Sequence, residues 1–211
     1  MLSMRQHVNP LSNHYDKVIS LPNLSKVFKN PYLPLHLDLG SAAGDFLFKL
    51  SLENKNWNYM GIEIREKLVL NAKSKVNYMT SENLFFAHGN AHNLIKDVID
   101  NLNKMHFNSI SLYFPDPWFK KKHHKRRIIQ NEFIKNLSKL MPRGSIMDVK
   151  SDVFELFQHI DHTILNSSFF IRKVDGVNLE KSFNPNGIKT YREEYVINHH
   201  LPIFEQIYIR K

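Results

Sequence analysis

From about residue 35 onward the chain alternates between two hydrophobic rhythms. Short apolar runs suited to strands are followed by stretches with an apolar residue every three or four positions, the rhythm of a helix with one buried face. Residues 35–39 read as a strand and 45–53 as the helix after it. Residues 58–64 form a second strand, and 65–76 a helix with Leu68, Val69, Ala72 and Val76 on one face. A third strand spans 84–88, and Leu94, Ile95, Val98, Ile99 and Leu102 make the stripe of the next helix. Residues 109–114 read as a fully apolar strand, as expected at the centre of a covered sheet. Residues 127–140 then carry Ile129, Phe133, Leu137 and Leu140 on one helical face, 145–149 are strand five, and 153–165 another helix. Two last strands, 169–174 and 204–210, flank a loop at 176–187 and a helix from Tyr191. Such alternation predicts an α/β fold, a mostly parallel sheet wrapped by helices. The domain is expected over 34–211. Residues 1–33, punctuated by Pro10, Pro22 and Pro31, read as an irregular extension.

In a fold of this kind ligands sit beyond the carboxyl ends of the strands. The first strand ends in Asp38-Leu39-Gly40-Ser41-Ala42-Ala43-Gly44. Two glycines let backbone approach a ligand closely at a helix start. A dinucleotide fingerprint needs G-x-G-x-x-G, and Ala42 and Asp45 occupy its second and third glycine positions. An acid just before the turn suits a cationic ligand better than a pyrophosphate. After strand two comes Glu63, placed to accept the hydroxyls of a ribose, or equally to face solvent. After strand three, Asn90 and Ala91 either meet an adenine edge or simply start a helix.

The fourth strand runs into Phe114-Pro115-Asp116-Pro117-Trp118. The two prolines fix their own backbone, and Pro117 keeps Asp116 out of the helical region. A carboxylate so stiffly held at a strand end is preorganised. Trp118 either stacks on a base or plugs the core edge. Directly beyond lie Lys120, Lys121, Lys122, His123, His124, Lys125, Arg126 and Arg127.

Six of the 29 lysines and arginines fall in those eight positions, in a chain of formal charge +9. The positive excess is thus concentrated, which favours a polyanion-binding patch over general solubility. A solvated loop is the plainer alternative. The 211 residues suit one sizeable domain, and a hydrophobic content of 42% argues against disorder. No cysteine is present, which excludes disulfides and thiolate metal sites. No metal site is expected. The first ten residues lack a signal-like apolar stretch, and no apolar run nears membrane-spanning length, so a soluble cytoplasmic protein is expected. Asp152-x-x-Glu155 and Thr190-x-x-Glu193 each have the spacing of a capping box.

Together these residues resemble the bacterial tRNA (guanine-N7-)-methyltransferases. The likeness runs from Leu37 to the C-terminus. Its most specific element is Phe114–Trp118 followed by the basic run; Gly40, Gly61-Ile-Glu-Ile64, Gly89-Asn-Ala91, Ser151–Phe154 and Thr190–Glu193 support it. The resemblance implies a class I methyltransferase (Rossmann-like) fold, a seven-stranded sheet with an antiparallel strand near the C-terminus. It implies S-adenosylmethionine as methyl donor and a guanine in the tRNA variable loop as acceptor. It puts Asp38, Gly40, Gly44, Glu63, Asn90, Ala91 and Asp116 at the donor, with Asp116 also catalytic. It puts Lys120, Asp152, Thr190, Tyr191, Arg192 and Glu193 at the guanine. Lys121 to Arg127 would grip the RNA backbone. Asp38, Ala42 and Phe119 stand where members often have Glu, Gly and Pro. Neither a membrane nor an obligate protein partner is expected; a monomer or homodimer suffices. The alternative is a non-catalytic RNA-binding protein that keeps the fold.

Overall fold

A computed structural model describes residues 8–15, 20–79, 82–102, 105–174 and 182–211, with the side chains of 77–79 outside the description. Seven strands form one sheet: β1 (Pro34–Leu39), β2 (Asn58–Glu63), β3 (Leu84–His88), β4 (His106–Tyr113), β5 (Ile146–Ser151), β6 (Phe170–Arg172) and β7 (Phe204–Arg210). Their order is β3-β2-β1-β4-β5-β7-β6. β7 runs antiparallel to both β5 and β6, and the other pairings are parallel. The chain winds one way from β1 to β3 and returns beside β1 with β4. That reversal opens a crevice beyond the carboxyl ends of β1 and β4.

The helices are α1 (Leu24–Val27), α2 (Asp45–Glu53), α3 (Glu66–Met79), α4 (Ala91–Asn101), α5 (Asn131–Leu140), α6 (Phe154–Asn166) and α7 (Tyr191–Asn198). Side chains alternate across each strand, so the sheet has two separately packed faces. On one face Leu35, Leu37 and Leu39 meet Leu94, Ile95 and Val98 of α4, Phe133 and Leu137 of α5, and Ile160 of α6. On the other, Tyr59, Leu84 and Phe86 meet Phe46, Leu47 and Leu50 of α2 and Val69 and Ala72 of α3.

Three expectations change. The segment before residue 34 is not wholly irregular: α1 forms in it, with Asn23 accepting from the Ser25 N–H as its cap. Four residues are too few for a helix to stand alone. Burial of Leu21, Leu24 and Phe28 in the first core holds it. The helix expected from residue 127 begins at Asn131, because Arg127 and Gln130 are both extended. The fourth strand starts earlier, at His106, and is not fully apolar: Ser109 and Ser111 are completely buried within it. The loop expected at 176–187 lies partly outside the described residues.

Candidate active site and RNA-facing surface

The turn after β1 is built by backbone geometry. The N–H groups of Gly40 and Ser41 both donate to the Ile62 carbonyl, at 2.8 and 3.1 Å. Gly40 has φ +85°, and a Cβ added there would meet nothing within 4 Å. It lines a cavity of about 390 Å³, a size ordinary for small-molecule sites. The absent side chain therefore leaves room on the ligand side. Gly44 is different. Its φ is +77°, and a Cβ would lie 2.5 Å from the Phe86 ring and 2.9 Å from Ala72. At Gly44 the lack of a side chain is required by packing against Phe86 and Ala72.

Glu63 ends β2, is buried, and lines the cavity. Its Oε2 accepts from the Ala42 N–H at 3.0 Å, and Arg65 closes on both oxygens at 2.9 and 3.0 Å. Glu63 in turn raises the Arg65 guanidinium pKa, with Asp116 adding a smaller pull. Asp38 is buried in the next strand, hydrogen-bonded from Ser111 at 2.6 Å. Burial pushes its carboxyl up to about 7; the Ser111 bond opposes this and the Glu63 charge adds to it. Asn90 takes the helix-starting role: its Oδ1 caps the His92 N–H, and its amide donates to the Pro10 carbonyl at 2.9 Å. Ala91 begins α4 and also lines the cavity. Residues Val8, Pro10 and Leu11 close the same cavity from the N-terminal segment.

Asp116 lines this cavity with Phe114, Pro115 and Trp118. Phe114 and Trp118, on either side of Pro-Asp-Pro, have φ of +51° and +47°. Each such residue costs on the order of 1–3 kcal/mol unless its surroundings enforce it. Phe114 N–H donates to the Lys150 carbonyl at 2.7 Å, and Arg127 Nε to the Pro117 carbonyl at 2.9 Å. The acid is thus clamped from both sides, and it faces the same cavity as Arg126.

The basic run is a 3-10 segment, Lys121–Arg126, and its members divide by exposure. Lys120, Lys121, Lys122 and Lys125 are exposed, His123 and His124 half-buried. Desolvation, and after it the neighbouring cations, lower the His123 pKa, so it adds little charge near neutrality. Arg126 lies over the Trp118 ring, 5.0 Å from its centre. Arg127 is only 4% exposed and reaches Pro117, His124 and Glu155. Its expected RNA contact is corrected: a guanidinium tied up inside the fold is a strut for the Asp116 loop.

Beyond β4 and β5 lies a second cluster, made of side chains. Asp152, despite its capping-box spacing, does not cap α6: Val153 occupies the cap position and Asp152 pairs with Arg192. Thr190 does cap α7, accepting the Glu193 N–H at 3.1 Å. Glu193 completes no capping box; its Oε1 meets Lys150 Nζ at 2.7 Å, and its buried Oε2 has no hydrogen-bond partner among the described residues. Tyr191 is exposed. Tyr113 donates to Asp148 at 2.5 Å, and the Lys150 ammonium lies 5.0 Å from the Tyr113 ring centre. Burial raises the Tyr113 and Asp148 pKa values. Burial pulls Lys150 down, but its Glu193 bond together with the charges of Glu193, Asp148 and Glu205 outweighs this, and its pKa is raised. Sequence reasoning missed Arg65, Tyr113, Asp148 and Lys150. For the last three the signal was the polar alternation along β4 and β5.

Strand order and the crevice at the β1/β4 reversal define a class I methyltransferase fold. Solved structures share it at identities too low to show more than fold. One is titled as the aminoglycoside resistance methyltransferase NpmB1, with TM-score 0.60, 13% identity, and 93% of this chain and 97% of that one covered. Another is an antibiotic-related methyltransferase, with TM-score 0.56 and 15% identity over 92% and 96% of the two chains. A family model described as "Putative methyltransferase" matches residues 33–206. The tRNA (guanine-N(7)-)-methyltransferase of Prochlorococcus marinus strain AS9601 is 54% identical over 98% of this chain and 100% of its own. The protein of that name from strain NATL2A is 36% identical over 98% and 97%. The chain belongs to the tRNA (guanine-N7-)-methyltransferase family.

Proposed function

We propose that this protein transfers a methyl group from S-adenosylmethionine to N7 of a guanine in the variable loop of tRNA. The observation that carries the reading is one crevice with three features: an unfilled cradle over Gly40, an acid at the end of β2, and the clamped Asp116 beside a basic segment. Family membership supplies the reaction. The residues fit the donor. Gly40 admits close backbone approach, Glu63 suits ribose hydroxyls, and the buried Asp38 suits a cationic amino-acid end. Arg65 must release the Glu63 oxygens for a ribose to take them.

The donor supplies an electrophilic methyl group on a sulfonium. Guanine N7 has an in-plane lone pair and no proton, so this chain need not furnish a strong base. Its work is alignment and exclusion of water. Methylation leaves positive charge on the purine, and Asp116 is placed to stabilise that charge as it develops. Glu193 Oε2, buried without a partner, suits the N1–H and N2–H edge of guanine, which adenine lacks. Lys120, Lys121, Lys122 and Lys125 would hold phosphates and orient the RNA without reading its sequence. The protein is taken to act in the cytoplasm, as a monomer or homodimer, without an obligate partner. The test is incubation with radiolabelled donor and unmodified tRNA, followed by mapping of the label. Label at N7 of a variable-loop guanine is expected. Absence of transfer at high enzyme concentration would instead favour an RNA-binding role.

A further inference from the structure

Along β1, Leu35, Leu37 and Leu39 enter one core, while His36 and Asp38 face the other side. There β4 sets Ser109 in register with His36 and Ser111 in register with Asp38. His36 is fully buried. Its Nδ1 lies 2.8 Å from Ser109 Oγ and its Nε2 3.0 Å from Ser111 Oγ. Phe183 stacks flat on the ring, with centres 3.7 Å apart and planes 8° from parallel.

Hydrogen-bond directions follow from valence. A hydroxyl has one proton, and an ionised carboxylate only accepts. Ser111 gives its proton to Asp38 Oδ1 at 2.6 Å. It must therefore accept from His36, which fixes the proton on Nε2. Burial lowers the His36 pKa, so the ring is neutral. Nδ1 is then an acceptor and takes the Ser109 proton. Three donors line up head to tail and end on one carboxylate oxygen. Among the described residues, no hydrogen bond reaches the other oxygen, Oδ2. An apolar residue at position 36 would fill this space without polar atoms, so packing alone gives no reason for the chain. Aligned hydrogen bonds in a low-dielectric interior polarise one another.

We propose that Ser109, His36 and Ser111 form a positioning relay for Asp38, holding it ionised with Oδ2 presented to the cationic amino-acid end of the methyl donor. The inference rests on the preceding assignment of Asp38 to the donor. The charge bearing on Asp38 is Glu63 on β2, which opposes its ionisation; the Tyr113 phenol on β4, raised by burial and by Asp38 itself, stays neutral. With its carboxyl at about 7, Asp38 needs the relay most near neutral pH.

Calorimetric titration of the full-length protein with S-adenosylmethionine and S-adenosylhomocysteine, from pH 5.5 to 9, tests this. Wild-type affinity is expected to fall about tenfold per pH unit below the Asp38 midpoint. Ser111→Ala should move that midpoint up by about one pH unit and weaken binding about fivefold at pH 7. His36→Phe should move it the same way by less, and His36→Gln, whose amide still donates, should restore part of the loss. The double variant Ser111→Ala/His36→Phe should bind no worse than Ser111→Ala, because the relay is already cut. Wild-type midpoints in Ser111→Ala and His36→Phe would overturn the relay. Ser111→Ala removes one oxygen, so it decides the matter even where His36→Phe fails to fold. Asp38→Asn separates the two readings. Its wild-type affinity and pH profile would overturn the Asp38 assignment itself, and the relay with it. A flattened profile there, with wild-type midpoints in the other variants, would overturn the relay alone.

Discussion

The two halves of the crevice are built by different means. Beyond β1 to β3 the proposed donor side takes its turn from backbone, with two N–H groups on one carbonyl and a further N–H on Glu63, and adds side chains only at its acids, Arg65 on Glu63 and Ser111 on Asp38. Beyond β4 and β5 the proposed guanine side rests on side chains throughout: Lys150 on Glu193, Arg192 on Asp152, Tyr113 on Asp148. Backbone construction tolerates sequence change wherever a small residue suffices. Side-chain construction needs particular partners, and losing one strands the other in a low dielectric. The glycine turn should therefore degrade gradually, and the side-chain cluster beyond β4 and β5 abruptly.

Asp116 stands where the halves meet, and its removal should have the largest effect. Asp116→Ala is expected to lower kcat by on the order of 10³ or more, as loss of a transition-state electrostatic contact does. Binding of tRNA, measured by filter retention, should change little. A kcat near wild type would show that the reacting purine does not depend on this carboxylate.

Next comes Lys150. Lys150→Met leaves the buried Glu193 without its cation and with neither oxygen satisfied. We expect kcat/KM for tRNA to drop by about 10² and the donor dissociation constant to stay within about threefold. Donor affinity that fell as far as kcat/KM would mean the halves are not separable. Lys150→Arg, which keeps the charge, should recover part of the loss.

The same contrast explains what was legible beforehand. Strand ends and glycine turns announce themselves through local composition, and Gly40, Glu63 and Asp116 do line one cavity. Composition does not say what Gly44 and Arg127 pack against. Phe86 fills the space beside Gly44, and the Pro117 carbonyl captures Arg127; both contacts come from distant segments. The Asp152 capping box failed for the same reason, since Arg192 lies 40 residues away in the chain. The richest clue was misread. Ser109, Ser111 and Tyr113 on β4, with His36 and Asp38 on β1 and Asp148 and Lys150 on β5, alternate polar with apolar. In a sheet covered on both faces this predicts a buried polar layer, not an apolar strand.

Asp38 gives a third, smaller contrast, between stability and binding. Burial pushes its carboxyl up to about 7 in the folded protein, from the ordinary aspartate value of 3.8. An acid raised in this way costs the folded protein progressively more as pH climbs from about 4 to about 7. Asp38→Asn should therefore raise the melting temperature of the donor-free protein at pH 8, by the equivalent of about 1–2 kcal/mol, and leave it unchanged near pH 4. The same variant should lose the thermal shift that donor produces. Equal melting at both pH values would mean that Asp38 is better solvated than its burial implies.

The smallest effects divide the basic run against itself. Lys121 and Lys122 are exposed and Arg127 is buried, though a count of charge treats them alike. A lysine that neutralises one phosphate contributes about 0.7–0.9 to the slope of log affinity against log salt. Lys121→Ala or Lys122→Ala should thus weaken tRNA binding a few-fold at moderate salt and reduce that slope by roughly one unit. The melting temperature should not move. Arg127→Ala should do the reverse. It frees the Pro117 carbonyl and Glu155, lowers the melting temperature, and slows turnover by loosening the loop that holds Asp116. The salt slope should be untouched. A slope reduced by Arg127→Ala would show that the guanidinium leaves its internal partners to meet RNA, and the line between strut and patch would then fall elsewhere in the run.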